Sequence, residues 1–376
     1  TLAADIYVDK TEMIQYLNSV VNTNQRFVSV SRPRRFGKTM AADMLCAYYD
    51  READSRALFS ERKVAAVSPD IRQGMKWDTY MGKFDVIRIV MTDFIKKDMP
   101  VQESLHRLAK RLLDDLEETY PIVKYDESDF FYSLDKFYRR SGTPFVIIID
   151  EWDVVFRVRK EDKEGQTRYL DFLRDWLKDR EYIALAYMTG ILPIKKYGEH
   201  SALNMFTEYS MTTPMQLARY TGFTEEEVLF LCRQYGRDFD MIKDWYDGYE
   251  LSDIVPPDPD HELLIETGEG PKAQRYSLYS PLSVVSAMST GFIRNYWNKT
   301  ETYEALAEYI RKDFDGLKEA VALLMDDGRL QIDISGYQND MTTFHRRDDV
   351  LSLLIHLGYL GYDDERREVF IPNREI

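Results

Sequence analysis

The chain has 376 residues, of which 44% are hydrophobic, 31% charged and 13% aromatic, with only 18 Gly and 13 Pro. This mixture excludes a disordered or fibrous chain, and the length corresponds to about two or three domains. Lys and Arg total 50 against 65 Asp and Glu, a formal charge of −15, which excludes a surface basic throughout, as a general nucleic-acid or anionic-membrane binder would need.

In chain order, Phe27-Val-Ser-Val-Ser31 reads as a short strand, followed by a loop over 32–37 and a helix from Lys38 to Tyr49. A second strand runs from Phe84 to Met91, and Leu105, Leu108, Leu112, Leu113 and Leu116 then fall at helical spacing within Gln102 to Glu118. Ser141-Gly-Thr-Pro144 breaks the chain before the continuous apolar run Phe145-Val-Ile-Ile-Ile149, which suits a strand buried on both faces of a parallel sheet. A helical pattern over Arg168 to Leu177 leads to a fourth strand, Tyr182 to Met188, closed by Thr189-Gly190. Strands alternating with helices over about 190 residues predict an open parallel α/β sheet, because parallel neighbours need crossovers.

Beyond Gly222 the pattern turns mainly helical: Thr224 to Tyr235, Leu282 to Met288, Tyr303 to Arg311, Phe314 to Met325 and Asp348 to Leu357. The polar stretch from Asp253 to Gln274 reads as a surface loop or β-excursion, and 357–373 as a helix end with a small hairpin, as at the close of a winged-helix module. The predicted division is an α/β core over 1–222 and a helical lid with a winged-helix-like end over 223–376. Cys46 and Cys232 have no metal-ligand spacing and are expected to be buried thiols in a reducing, cytoplasmic compartment. No apolar run reaches the roughly 18 residues of a membrane span, and no signal-peptide pattern opens the chain. The start at Thr1 reads as that of a processed or partial chain.

Arg32-Pro-Arg-Arg-Phe-Gly-Lys-Thr39 lies between a buried strand and a helix, where a phosphate-binding loop belongs. Such a loop needs backbone N–H groups around a phosphate, a helix N-terminus behind it, a lysine for the β/γ-phosphates and a hydroxyl for Mg²⁺; Gly37, Lys38 and Thr39 match the last three positions. The first position departs, carrying Arg32 in place of glycine; the alternative is an ordinary Gly-Lys-Thr helix start. Asp150 and Glu151 close the most apolar strand, at the sheet edge where open parallel sheets bind ligands. An aspartate there can hold Mg²⁺ and a glutamate beside it can polarise water, two solvated capping acids being the alternative. Thr189, at the end of the next strand, is positioned to sense a γ-phosphate or to be simple turn chemistry.

The order of these features is that of the additional-strand, catalytic-glutamate class of P-loop NTPases. In detail the chain resembles the bacterial and archaeal AAA-ATPase-like proteins, which often carry a C-terminal nuclease-like domain of the PD-(D/E)XK superfamily. The resemblance rests on Ile6-Tyr-Val-Asp-Lys-Thr11, Arg32-Pro-Arg-Arg-Phe-Gly-Lys-Thr39, Ile149-Asp-Glu-Trp-Asp153, Thr189-Gly-Ile-Leu-Pro193, Tyr246-Asp-Gly-Tyr249 and Ile371-Pro-Asn373. It also covers Arg32, since the family's loop reads Arg-Arg-Phe-Gly-Lys, whereas Tyr279-Ser-Pro281 stands where the family has Tyr-Asn-Pro.

The resemblance implies ATP bound with Mg²⁺. Arg34, Arg35, Phe36, Gly37, Lys38, Thr39 and Met40 would form the nucleotide cradle, with Thr39 and Asp150 serving the metal and Lys38, Glu151 and Thr189 acting in catalysis. Tyr7, Val8 and Asp9 are candidates to flank the base, with local capping and packing as the alternative, and Tyr246-Asp-Gly-Tyr249 is expected to be a turn packing its two rings. Because the sequence ends at Ile376, just past Ile-Pro-Asn, the expectation is that it is not itself a nuclease. The function expected is Mg²⁺-dependent ATP hydrolysis driving a switch or motor that regulates a DNA-handling or defence effector outside this chain, with self-association open and no membrane partner. Two rival readings are a nucleotide-binding scaffold with little hydrolysis and a nucleic-acid-binding module using His345, Arg346, Arg347, Arg366 and Arg367, the latter opposed by neighbouring acids.

Overall fold

The computed structural model describes residues 6–66, 75–194, 202–254, 273–297, 313–334, 337, 344 and 346–376. The expected helix from Tyr303 to Arg311, most of the polar stretch after Asp253, and His345 lie outside the described residues. The first part of the chain runs α1 (Met13–Val20), β1 (Phe27–Ser31), α2 (Lys38–Tyr49), α3 (Arg56–Ser60), α4 (Lys63–Ala66), β2 (Asp85–Val90), α5 (Val101–Thr119), α6 (Phe130–Ser141), β3 (Phe145–Asp150), α7 (Val154–Val158), α8 (Lys163–Leu177), β4 (Ile183–Gly190) and β5 (Thr207–Tyr209). The strands form one five-stranded sheet in the order β2-β3-β4-β1-β5, with every neighbouring pair parallel. Thus β4 separates the strand before the Gly-Lys-Thr loop from the strand that ends in Asp150.

Side-chain alternation decides what each face of the sheet covers. Phe145, Ile147 and Ile149 of β3 join a core with Leu108, Leu112 and Leu116 of α5, while Val146 and Ile148 join Leu17 of α1 and Ala42 and Leu45 of α2 on the opposite face. Each such buried side chain contributes about 1.5–3 kcal/mol, which is why the most apolar run takes a central position. By the same period of two, Asp150 falls on the α2 face. The sequence reading had four strands; β5 is three residues long and too polar at Thr207 and Glu208 to stand out, yet it extends the sheet beyond β1.

The second part runs β6 (Phe223–Thr224), α9 (Glu225–Tyr235), α10 (Phe239–Tyr246), β7 (Tyr249–Ile254), β8 (Ala273–Tyr279), α11 (Pro281–Thr290), α12 (Leu317–Met325), β9 (Leu330–Gln331), α13 (Arg347–Leu357), β10 (Gly361–Asp363) and β11 (Glu368–Phe370). Of the helices expected there, those over 224–235, 282–288, 314–325 and 348–357 are present within the described residues, and so are two antiparallel three-stranded sheets, β6-β8-β7 and β10-β11-β9. The strand β7 escaped the sequence reading because its alternation, with Tyr249 and Leu251 buried, runs into the polar stretch. From Phe223 onward no described strand joins the parallel sheet.

Two sequence landmarks far apart in the chain meet. The turn at 246–249 does not pack its two rings on each other: Tyr246 lies against Tyr296, while Tyr249 meets Phe36 edge-on with ring centroids 5.3 Å apart and donates its hydroxyl to the carbonyl of Gly358, at 2.6 Å. Between them, Gly248 has φ +121°, and a Cβ built there would sit 1.8 Å from the carbonyl oxygen of Pro372. Only glycine lets the Ile-Pro-Asn segment lie against this turn. Gly248→Ala is therefore expected to cost about 2 kcal/mol or more, since left-handed strain and overpacking act together. Thermal unfolding checks this, and a melting temperature equal to the parent's would contradict it.

Candidate active site

The loop before α2 is built from the inside outward. Arg32, where a glycine was expected, is wholly buried, and its guanidinium donates to the carbonyls of Ser31 and Tyr209 at 2.9 and 2.8 Å. Burial pulls its pKa down to about 10. The residue is an interior brace that closes carbonyls of the β1 and β5 strand ends, so the loop dispenses with glycine at its start. Arg35 then takes φ +68° and Gly37 φ +86°, the left-handed geometry that turns the chain into the N-terminus of α2. Phe36 is buried against Tyr249 and its carbonyl accepts from Gly222 N–H at 3.1 Å, so both ring and backbone anchor the loop.

Lys38 is 8% exposed, and its Nζ donates to the carbonyls of Arg32 and Pro33 at 2.9 and 2.8 Å. Burial lowers its pKa from 10.5 to about 8, although the nearby Asp153, Asp150 and Glu151 carboxylates oppose the shift. Asp150 is buried, and one of its carboxylate oxygens accepts from Thr39 Oγ1 at 2.8 Å while the other accepts from Thr189 Oγ1. The loop and the apolar strand therefore converge as the sequence suggested. Thr189, however, is fully buried and is not among the residues lining the adjoining cavity; its hydroxyl is committed to Asp150.

Glu151 stands just past β3 at φ +55° and pairs with Arg157 Nη2 at 2.8 Å. Arg157 also reaches Asp153 Oδ2 at 3.1 Å, and that same oxygen accepts the backbone N–H groups of Ile191 and Leu192 at 3.2 and 3.1 Å. Burial works against the Arg157 charge, but the two carboxylates outweigh it and hold the guanidinium above its ordinary pKa. Neither Asp153 nor Arg157 was singled out as functional from the sequence. Their spacing of four residues on a helical turn was the available signal.

Asp150 and Glu151 border a cavity of about 1090 Å³ lined also by segment 34–41, Ile191 and Gly222, by Tyr7, Val8 and Lys10 of the N-terminal segment, and by Phe223 and Leu282 of the second part. Arg34, Arg35 and Met40 all face it, whereas Asp9 does not line it and instead caps its neighbours, accepting from Thr11 N–H at 2.9 Å and from Lys63 N–H at 2.9 Å. Five basic side chains (Lys10, Arg34, Arg35, Lys38, Arg62) and three acidic ones (Asp43, Asp150, Glu151) line this cavity, in a chain of net charge −15. That local inversion of sign favours an anionic ligand. Among the described residues no group of three or more His, Cys, Asp and Glu could hold a metal on its own, and no described helix is long and apolar enough to cross a membrane.

A family model described as a predicted AAA-ATPase matches residues 3–198. A curated relative from Azotobacter chroococcum mcd 1, described as an uncharacterized protein in the vnfD 5′ region, is 23% identical over 316 residues, covering 81% of this chain and 52% of the relative. The chain thus spans about half the length of that relative. Among solved structures, the Aeropyrum pernix ORC1 protein in complex with DNA aligns at 12% identity and TM-score 0.30, covering 99% of this chain and 91% of that one. The Aeropyrum pernix ORC2 protein in ADPNP–ADP complexes aligns at 13% identity and TM-score 0.34, covering 99% and 93%.

Lys38 gives the site a pH signature. A lysine whose folded pKa is depressed binds fewer protons folded than unfolded between about 8 and 10.5, so stability rises with pH across that window. The parent is expected to gain stability relative to Lys38→Met as pH rises from about 8 towards 10.5. Chemical unfolding of both proteins across that range checks it; a constant difference would contradict the assigned burial of a charged lysine.

Proposed function

The chain belongs to the AAA-ATPase-like family, and we propose that it binds ATP with Mg²⁺ in the cavity beside segment 34–41 and hydrolyses it. The single observation that carries this reading is the meeting of Thr39 and Thr189 on the two oxygens of buried Asp150, next to Lys38 at a helix N-terminus. A buried carboxylate at a sheet edge is costly, and this one is satisfied by a hydroxyl from the phosphate-type loop.

Each residue has a role in that chemistry. The N–H groups of the loop and the first turn of α2 would receive the β-phosphate, with Lys38 exchanging its carbonyl partners for phosphate oxygens. Thr39 and Asp150 supply the hard oxygens that suit Mg²⁺, which would neutralise phosphate charge when bound. Glu151 would orient and deprotonate the attacking water. Thr189 acts through Asp150, holding its carboxylate in place, and Arg34 and Arg35, which line the same cavity, would meet phosphate. Tyr7 and Val8 would flank the base.

We place the division between core and lid at 222/223. Phe223 and Leu282 face the same cavity as the loop, which supports a lid that moves against the core on turnover. A DNA-handling or nuclease effector beyond this chain would receive that motion. The test is nucleotide affinity and ATPase rate for the parent, Lys38→Ala and Glu151→Gln. Lys38→Ala is expected to lose binding, and Glu151→Gln to keep binding while losing turnover by roughly two orders of magnitude. Equal activity in all three would remove the assignment, and binding without turnover in the parent would favour a nucleotide-occupied scaffold.

A further inference from the structure

The carboxylate of Glu151 does not find its place through its own rotamer. It sits one residue beyond β3 in left-handed backbone geometry, with a side chain 39% exposed, and a glutamate so placed has several torsions free. Its fixed partner is Arg157 Nη2, at 2.8 Å, on a side chain only 14% exposed. The same guanidinium uses Nε to reach Asp153 Oδ2 at 3.1 Å, so a single planar fork serves two carboxylates. Asp153 is fully buried, and the oxygen that receives Arg157 also receives Ile191 N–H and Leu192 N–H, immediately after β4. Trp152 N–H donates to the Thr189 carbonyl at 3.0 Å, stitching the ends of β3 and β4 a second time.

We infer that Arg157 is a positioning residue for Glu151, holding its carboxylate toward the cavity and making its place depend, through Asp153, on the end of β4. This rests on the hydrolytic reading above. An exposed ion pair would be too weak to do this, but here two of the three members are largely or fully withdrawn from water and the fork geometry leaves little freedom. Asp150 is held by other bonds, from the hydroxyls of Thr39 and Thr189, and makes none with Arg157 among the described residues.

The experiment is a double-mutant cycle on ATP turnover. Single-turnover rates and nucleotide affinities are measured for the parent, Arg157→Gln and Arg157→Lys, each with Glu151 intact and with Glu151→Gln. Arg157→Gln is expected to lower the rate about tenfold or more while changing affinity by less than about twofold, and to add no further loss once Glu151 is gone. Arg157→Lys, a cation without the fork, is expected to recover part of the rate. If Arg157→Gln does not fold, the same cycle is read from Arg157→Lys, whose rate must fall only when Glu151 is present. Unchanged or faster turnover in Arg157→Gln would overturn the inference, as would equal losses in both Glu151 backgrounds accompanied by weaker binding, which mark a merely structural arginine. A parent that binds but never turns over ATP would instead sink the hydrolytic reading.

Discussion

The constraint on which the rest of the molecule depends is the burial of one carboxylate at the edge of the parallel sheet. Asp150 is 1% exposed, at the C-terminal end of a strand whose other five residues are entirely apolar and buried. A charge in that place is tolerable only if both oxygens are hydrogen-bonded. Its two donors, Thr39 and Thr189, come from the first turn of α2 and the end of β4, so satisfying it fixes three elements relative to one another. The strand order follows suit, with β4 lying between β1 and β3 and carrying Thr189 beside the acid.

Around that point the chain gathers positive charge that its composition disfavours and closes the second part over it. Lys10 bridges from the N-terminal segment to the second part, donating to Glu227 at 2.6 Å as well as to the Arg219 carbonyl of the first part at 2.7 Å; the Glu227 side chain also accepts from Thr224 N–H at 2.8 Å in the capping box of α9. Near the other end of the sequence, Glu375 is buried and accepts from Tyr296 N–H at 2.6 Å, Trp297 N–H at 3.1 Å and Ser283 Oγ at 2.6 Å. Burial raises its carboxyl pKa. Phe36 joins the loop to Tyr249, which in turn reaches Gly358. The helices and small sheets of the second part are thereby fastened to the same loop that faces the cavity, which gives a physical route by which occupancy of the cavity would be felt there.

Much of this was legible in the residues because the strongest signals were long and unambiguous. The run from Phe145 to Ile149, closed by Asp150-Glu151, suits a strand buried on both faces, and the leucines of α5 mark its buried face one by one. The Gly-Lys-Thr loop and the Asp-Glu pair were correctly expected to face each other, since parallel strands end on one side of the sheet. What stayed hidden depended on tertiary partners. Arg32 reads as a mismatch until Tyr209 is seen to receive it, the hydrogen bond from Thr189 to Asp150 cannot be read from either residue alone, and β5 and β7 are too short or too polar for their periodicity to show. Arg157 is invisible for the same reason: its importance comes from a buried acid and from backbone groups more than thirty residues away.

The central claim is that a nucleotide triphosphate lies on the loop with its metal between Thr39 and Asp150. A crystal structure of the protein with Mg²⁺ and a non-hydrolysable ATP analogue tests it most directly. The expected result is the β-phosphate on the N–H groups of 35–39, with Thr39 and Asp150 holding Mg²⁺ directly or through water. An analogue seated elsewhere, or a metal held without Thr39 and Asp150, would contradict it.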